Sequence, residues 1–308
     1  MALPASAETV RIATFNTELA RKGPGLLLRD ILKGEADVAS AQAAINAVNP
    51  DILAVQSFDY DLTGAALKAF SDGLARPYAH HFARVPNTGL STGLDLNDDR
   101  RLGTEKDAQG YGAFHGQGGM AVLSRYPFEQ GGVVDHSDVL WSSLEAGLWD
   151  GPDVLTEAAR DVQRLSTTAH WEVPVTVGGT VLTLLTYHAT PPVFDGPEDR
   201  NGRRNADETL FWLPRLSAVE TPVLLGDANL DPARGDGRSE AMQRLLAHPA
   251  LQDPLPGTDS VVFEQTGPLR VDYVLPAASL TITDAGIHWP EGDDASRHAL
   301  IWVDIALP

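Results

Sequence analysis

Short apolar runs pace this chain from end to end, and most of them stop abruptly at polar residues. "TVRIATFN" (9–16), "DILAVQS" (51–57), "GGMAVLSRYP" (118–127), "HWEVPVTV" (170–177), "TVLTLLTYH" (180–188), "TPVLLGDAN" (221–229), "RVDYVLP" (270–276) and "ALIWVDIAL" (299–307) are all of strand length. Several are nearly continuous in apolar residues, as strands covered on both faces must be. Between them lie segments of helical period. "DVASAQAAINAVN" (37–49) repeats its apolar residues at Val38, Ala41, Ile45 and Val48, and Pro50 stops it. "NADETLFWLPRLSAV" (205–219) opens with acidic residues suited to a helix N-terminus, and "RSEAMQRLLAHP" (238–249) is a third. Strands alternating with helices predict a layered α/β architecture. Apolar segments and turn residues are spread evenly, so a single domain is expected over 9–308.

The run ends carry the chemistry. Asn16 closes the first run, Ser57 the second and His188 the fifth; Asp227 and Asn229 end the sixth, Asp272 lies in the seventh, and His298 precedes the eighth. In sheets flanked by helices, ligand sites form beyond strand tips. A lone histidine at a strand end usually does no more than hydrogen-bond its neighbours. "GDAN" (226–229) is more specific. A tight glycine turn presents a carboxylate and, two residues on, an amide on the same side. That pairing suits a base that holds water beside a group that orients a substrate.

Composition narrows the partners. Lys and Arg total 23 against 42 Asp and Glu, a net charge of −19. Such a surface repels polyanions, which argues against long nucleic acid and leaves a small anionic ester open. There is no cysteine, so disulfides, thiolate catalysis and thiolate metal sites are all excluded. "PASA" before Glu8 reads as the remnant of a signal peptide. It predicts a flexible tail over 1–8 and a secreted or periplasmic protein. No apolar run reaches the ~20 residues of a membrane helix, and nothing points to a protein partner.

Two long polar loops stand out, 87–119 and 189–205. Loops of this length in a compact fold are more often functional than idle. The second contains "TPPVFDGPEDRNGRRN" and places Arg200, Arg203 and Arg204 soon after His188. They read either as a substrate clamp or as surface partners of Asp195, Glu198 and Asp199. "LDLNDD" (94–99) alternates like a calcium loop but lacks its glycine and closing glutamate. Tyr111, Trp141, Trp149 and Phe194 are candidates to line a pocket, or local core.

The residues "ATFN", "PDILAVQ", "GMAVLSRYP", "TYHAT", "GDANLDP", "RVDYVLP" and "SRHALIWVDI", in that order from 13 to 305, resemble the endonuclease/exonuclease/phosphatase superfamily. The resemblance implies a four-layered α/β sandwich, with two mixed β-sheets packed face to face and helices outside. It implies hydrolysis of a phosphoester by in-line attack of water beside Mg2+, or Mn2+ or Ca2+. On that reading Asp227 orients or deprotonates the water and Asn229 positions it. His188 and His298 donate to phosphoryl oxygens, Asp272 holds one imidazole in its productive tautomer, and Asn16 sits on the metal side.

Two positions depart from the superfamily pattern. Ser57 stands where a metal-binding glutamate is expected, and Arg297 where an aspartate is expected before His298. Mg2+ sites usually need one or two carboxylates, so the substitutions predict altered or lost metal dependence. Together they make that corner more positive by about the charge a divalent cation would bring. Three outcomes follow. Arg297 substitutes for the metal and grips phosphate with its fork. Alternatively Glu18, two residues beyond Asn16, restores a metal site, with Asp59, Asp61, Asp293 and Asp294 nearby as further carboxylates. In the third, turnover is gone and the chain binds a phosphate ligand or partner without catalysis. The expected activity is hydrolysis of a small phosphomonoester or phosphodiester.

Overall fold

The structure, a computed structural model, describes residues 8–307. The predicted tail falls outside that range except for residue 8, where the first strand already begins.

Two mixed sheets are stacked face to face. The six-stranded sheet runs in the order β12 (Thr281–His288), β13 (Leu300–Leu307), β1 (Glu8–Asn16), β2 (Ile52–Phe58), β4 (Gly119–Ser124) and β3 (His80–Phe82). The five-stranded sheet runs β11 (Asp272–Pro276), β8 (Pro222–Asp227), β7 (Thr180–His188), β6 (His170–Val177) and β5 (Val134–Asp135). A small ribbon of β9 (Val261–Phe263) and β10 (Gly267–Leu269) stands apart. Among the described strands, β1–β2 and β7–β8 pair in parallel and the other pairs are antiparallel. Helices α1 (Leu26–Lys33), α2 (Ala36–Val48) and α3 (Ala65–Asp72) cover the outer face of the first sheet; α5 (Arg200–Leu210) and α6 (Ser239–Leu246) cover the second. A further short helix, α4 (Glu157–Arg160), lies in a loop. The four layers are those expected.

The two-residue period of the strands explains both the stacking and the site. On β1, Val10 and Ile12 face the other sheet while Ala13 and Phe15 face the helices. On β8, Val223 and Leu225 face inward and Leu224 outward; on β7, Leu182 and Leu184 face inward and Leu185 and Tyr187 outward. Following each inward row toward its C-terminal end, apolar side chains give way to Thr14 and Asn16, to Thr186 and His188, and to Asp227. The core is therefore dry at one end and polar at the other, and the polar end is where β1, β7 and β8 stop.

Local geometry sharpens those tips. Gly226 has φ 144°, and a Cβ there would lie 2.1 Å from the Tyr187 carbonyl oxygen. Only glycine lets β8 approach β7 so closely. Ser57 sits in a bulge with φ 55°, where the pairing of β2 with β4 slips between Gln56 and Phe58.

Several elements differ from the sequence reading. Helix α5 starts at Arg200 and ends at Leu210, whereas the sequence placed it at 205–219. Pro214 cannot donate to a preceding turn, and its neighbours continue only as turns. The strands β3, β5, β9, β10 and β12 and the helices α1 and α3 had no clear signal. The edge strand β12 carries little burial, which explains its weak apolar pattern. No helix among the described residues is long and apolar enough to cross a membrane.

Candidate active site

Asp227, fully buried, is the hub of the polar end. Its Oδ2 accepts from Asn16 Nδ2 at 2.7 Å and its Oδ1 from the Asn229 backbone N–H at 2.8 Å. His188 Nε2 lies 3.6 Å from the same Oδ2, and His298 Nδ1 lies 4.0 Å from it. The parallel pairing of β7 with β8 sets His188 directly beside Asp227. The antiparallel pairing of β11 with β8 sets Asp272 on its other side. Asn229, in a left-handed conformation, turns its amide to the Ala189 carbonyl at 2.9 Å, which ties the β8 tip to the β7 tip.

The second half of the cluster is a relay. Asp272 Oδ2 lies 2.9 Å from His298 Nδ1 and accepts from Ser260 Oγ at 2.8 Å. Burial alone would lower the His298 pKa. The charge and hydrogen bond of Asp272, then the charge of Asp227, outweigh it and raise the imidazole to about 9. His298 is therefore an imidazolium at neutral pH, with its other nitrogen carrying a proton. His188 goes the opposite way: burial lowers its pKa, only partly countered by Asp227. Asp227 itself is raised, by burial first and by the charge of Asp272 second, which makes it a stronger base than a free carboxylate. Two imidazoles with opposite shifts flank one carboxylate.

Several buried polar atoms here have no partner among the described residues: His188 Nδ1, Asp272 Oδ1, Thr186 Oγ1 and Gln56 Nε2. Buried polar groups are nearly always satisfied, and of these four His188 Nδ1 and Asp272 Oδ1 belong to the cluster itself, where water or ligand could complete them.

The opposite corner, at the tips of β1 and β2, is built otherwise. Glu18 accepts from the Arg297 backbone N–H at 2.7 Å and from Arg297 Nε at 2.9 Å, and Arg297 Nη2 completes a fork on the same carboxylate. The guanidinium carbon sits 5.0 Å from the Phe263 ring centroid. Ser296 Oγ donates to the Asn16 carbonyl at 2.7 Å, accepts from the His298 N–H at 3.1 Å, and lies 3.3 Å from Glu18 Oε2. Both oxygens of Glu18 are thus engaged by Arg297, and Ser57 supplies only a hydroxyl. That donor set does not fit a hard divalent cation. Asp59, Asp61, Asp293 and Asp294 do not repair it. Asp59 is buried and accepts from the backbone of Arg21 and Gly118, with burial raising its pKa to about 6. Asp61 caps α3 through Ala65 and Ala66, and Asp293 and Asp294 are exposed. The acid–histidine group with ligand atoms within 4.8 Å of one another is Asp227, Asp272 and His298. There a cation would compete with the proton held between His298 and Asp272.

The arginines of the 190–205 segment are not gathered into the cluster. Arg204 is buried, with Nε donating to the Leu165 carbonyl and Nη2 to those of Arg164 and Ser166. Arg203 donates to the carbonyls of Glu198 and Leu148, and Arg200 Nη2 donates to Gln163 at 2.6 Å. Their donors fasten α5 to its neighbours; none forms a direct ion pair with Asp195, Glu198 or Asp199, although the charges of Glu198 and Asp195 act on Arg200. Trp141 is fully buried in local core, while Phe194 and Tyr111 stand in solvent. Asp95 and Asp99 accept backbone N–H groups of their own turn.

The sequence reading missed the supports. Asn205, fully buried, donates from its amide to the carbonyls of Thr190 and Ala228, both at 2.8 Å. It bridges the segments that carry His188 and Asp227. Glu208 accepts from the N–H groups of Thr167 and Thr190, and burial pushes it up to about 7. Ser260 orients Asp272. The signal for the first two was there, in polar residues on the buried face of an amphipathic helix; Ser260 had none.

The sequence matches the Endonuclease/Exonuclease/phosphatase family over residues 13–298, and the chain belongs to that family. Solved structures agree on the fold. An endonuclease/exonuclease/phosphatase from Beutenbergia cavernae DSM 12333 is similar at TM-score 0.58 and 18% identity, with 97% of this chain and 72% of that chain covered. A sphingomyelinase C from Streptomyces griseocarneus is similar at TM-score 0.54 and 15% identity, covering 97% and 100%. The 3′ phosphatase NExo from Neisseria, bound to a product DNA hairpin, is similar at TM-score 0.53 and 18% identity, covering 97% and 100%. No curated protein matches the sequence. The family is generally hydrolytic and its members are usually divalent-metal dependent.

Proposed function

We propose that this protein hydrolyses a small phosphomonoester or phosphodiester by in-line attack of water, with little or no need for a divalent metal. One observation carries the reading: Asn16, His188, Asp227, Asp272 and His298, drawn from separate strands and loops, meet at the polar end of the inter-sheet core. Packing alone would not put two imidazoles, two carboxylates and an amide there. In this mechanism Asp227 takes the proton of the attacking water, and its raised pKa favours that role. The imidazolium of His298 donates to a phosphoryl oxygen as negative charge builds on it. Neutral His188 donates from one ring nitrogen, and Asn16 and Asn229 fix the carboxylate between them. The net charge of −19 favours a small ester over long nucleic acid.

A panel of a small phosphomonoester, a small phosphodiester and a duplex oligonucleotide tests this. Turnover of a small ester that disappears in Asp227→Ala supports it. Silence on the whole panel, with phosphate still bound, favours a binding protein on the same fold.

A further inference from the structure

The three donors of Arg297 that converge on Glu18 describe a seat for an anion. A backbone N–H and a guanidinium fork meet one carboxylate, the guanidinium is braced on Phe263, and Ser296 Oγ lies alongside. Arg297 adjoins His298, and the Ser296 hydroxyl bonds the Asn16 main chain, so the seat belongs to the rim of the cluster described above. Glu18 reaches it from a left-handed backbone conformation with φ 50°, unusual for a residue other than glycine. The carboxylate is a side-chain guest in a geometry that also matches two oxygens of a phosphate.

We propose that the Glu18 carboxylate holds the place of a ligand's phosphate group, and that a phosphate monoester dianion takes its place on Arg297 when Glu18 withdraws. This deepens the hydrolase reading by assigning the anion-binding side of the same site. The exchange has a built-in cost. The seat opens on a groove of about 520 Å3 lined by Glu35, Asp293 and Asp294, and by Asp37, which Arg21 pairs, so a displaced Glu18 and an arriving anion both meet negative charge. The wild-type protein therefore binds a free phosphate weakly, and Glu18 screens the site against anions that offer less charge than a dianion.

The probe is inorganic phosphate, titrated by calorimetry into the full chain, with circular dichroism as the check on folding. Glu18→Gln removes the competing charge and keeps the side-chain shape. It is expected to tighten phosphate binding about tenfold, the worth of one charge-assisted hydrogen bond. The double variant Glu18→Gln, Arg297→Ala is expected to lose that gain. Glu18→Gln binding phosphate no tighter than wild type overturns the proposal, and so does a gain that survives loss of Arg297. No turnover is read, so the outcome is separate from the hydrolase reading: an inactive protein can still show the gain, and an active one can fail to.

Discussion

The two ends of the candidate site are built on different principles. At the tips of β7, β8 and β11, charge is buried and only partly satisfied: Asp227 and Asp272 share an imidazolium, while His188 Nδ1 and Asp272 Oδ1 have no partner among the described residues. At the tips of β1 and β2, charge is near the surface and closed on itself, with Arg297 spent on Glu18, whose side chains are 56% and 24% exposed. The first end holds the groups to which the proposed reaction gives the proton transfer and the phosphoryl contact. The second holds an ion pair, Glu18 with Arg297, beside the Ser57 hydroxyl. The two halves of the candidate site rest on different strands and on different electrostatics.

The largest effect should come from the buried end. Asp227→Ala removes the base and the common partner of Asn16 and Asn229. It is expected to lower turnover of a responsive small ester about 10^3-fold with the fold intact by circular dichroism. A loss under tenfold would mean that the hub is only structural.

The buried end should also write itself into the pH dependence of stability. The folded pKa of His298 is raised to about 9, so its contribution is whole below about 6.5 and fades as pH rises through 9. Urea denaturation should show a loss of roughly 2 kcal/mol between pH 7 and pH 9, below the range where the buried Tyr78, Tyr187 and Tyr273 add their own loss, and His298→Gln should flatten it. Glu208, raised to about 7, and Asp59, raised to about 6, also lower stability as pH rises, but over a more acidic window that ends near pH 7. An unchanged upper slope in His298→Gln would remove the imidazolium from the account.

The sequence disclosed these two ends unequally. Asn16, His188, Asp227 and Asp272 were legible because alternation along a strand fixes which side of the sheet a tip residue faces, and His298 because it directly precedes an apolar run. The stacking of the sheets was legible from the continuous apolar runs. The fate of Arg297 was not, because its partner Glu18 is 279 residues away and reaches it only through a turn with positive φ. Nor was the work of Arg200, Arg203 and Arg204. Placing α5 five residues late left them in a loop, whereas on the helix they face carbonyls that no sequence pattern announces. Edge strands such as β12 lacked an apolar row because one of their faces is wet.

A smaller effect separates the site from its supports. Asn205→Ala frees two buried carbonyls that space the His188 and Asp227 segments. Stability should fall by about 1–3 kcal/mol in urea, and kcat should fall about tenfold with KM nearly unchanged. The ring titration of His188, followed by NMR, should move up toward the ordinary imidazole value as its segment loosens. No movement would make Asn205 a purely structural residue. The smallest effect should come from α5, away from the cluster. Arg203→Ala removes donors to two carbonyls and should leave KM within about twofold while costing about 1 kcal/mol of stability. A tenfold rise in KM would return Arg203 to the substrate.

The most direct test of the exchange at the Arg297 corner is the rate of hydrolysis of a responsive small phosphoester, measured after exhaustive chelation and again with Mg2+, Mn2+ or Ca2+ restored. The expected rates agree within about twofold, since the imidazolium of His298, joined by Arg297 once Glu18 has withdrawn, supplies the positive charge. Activity that vanishes on chelation and returns with one of these ions would contradict it.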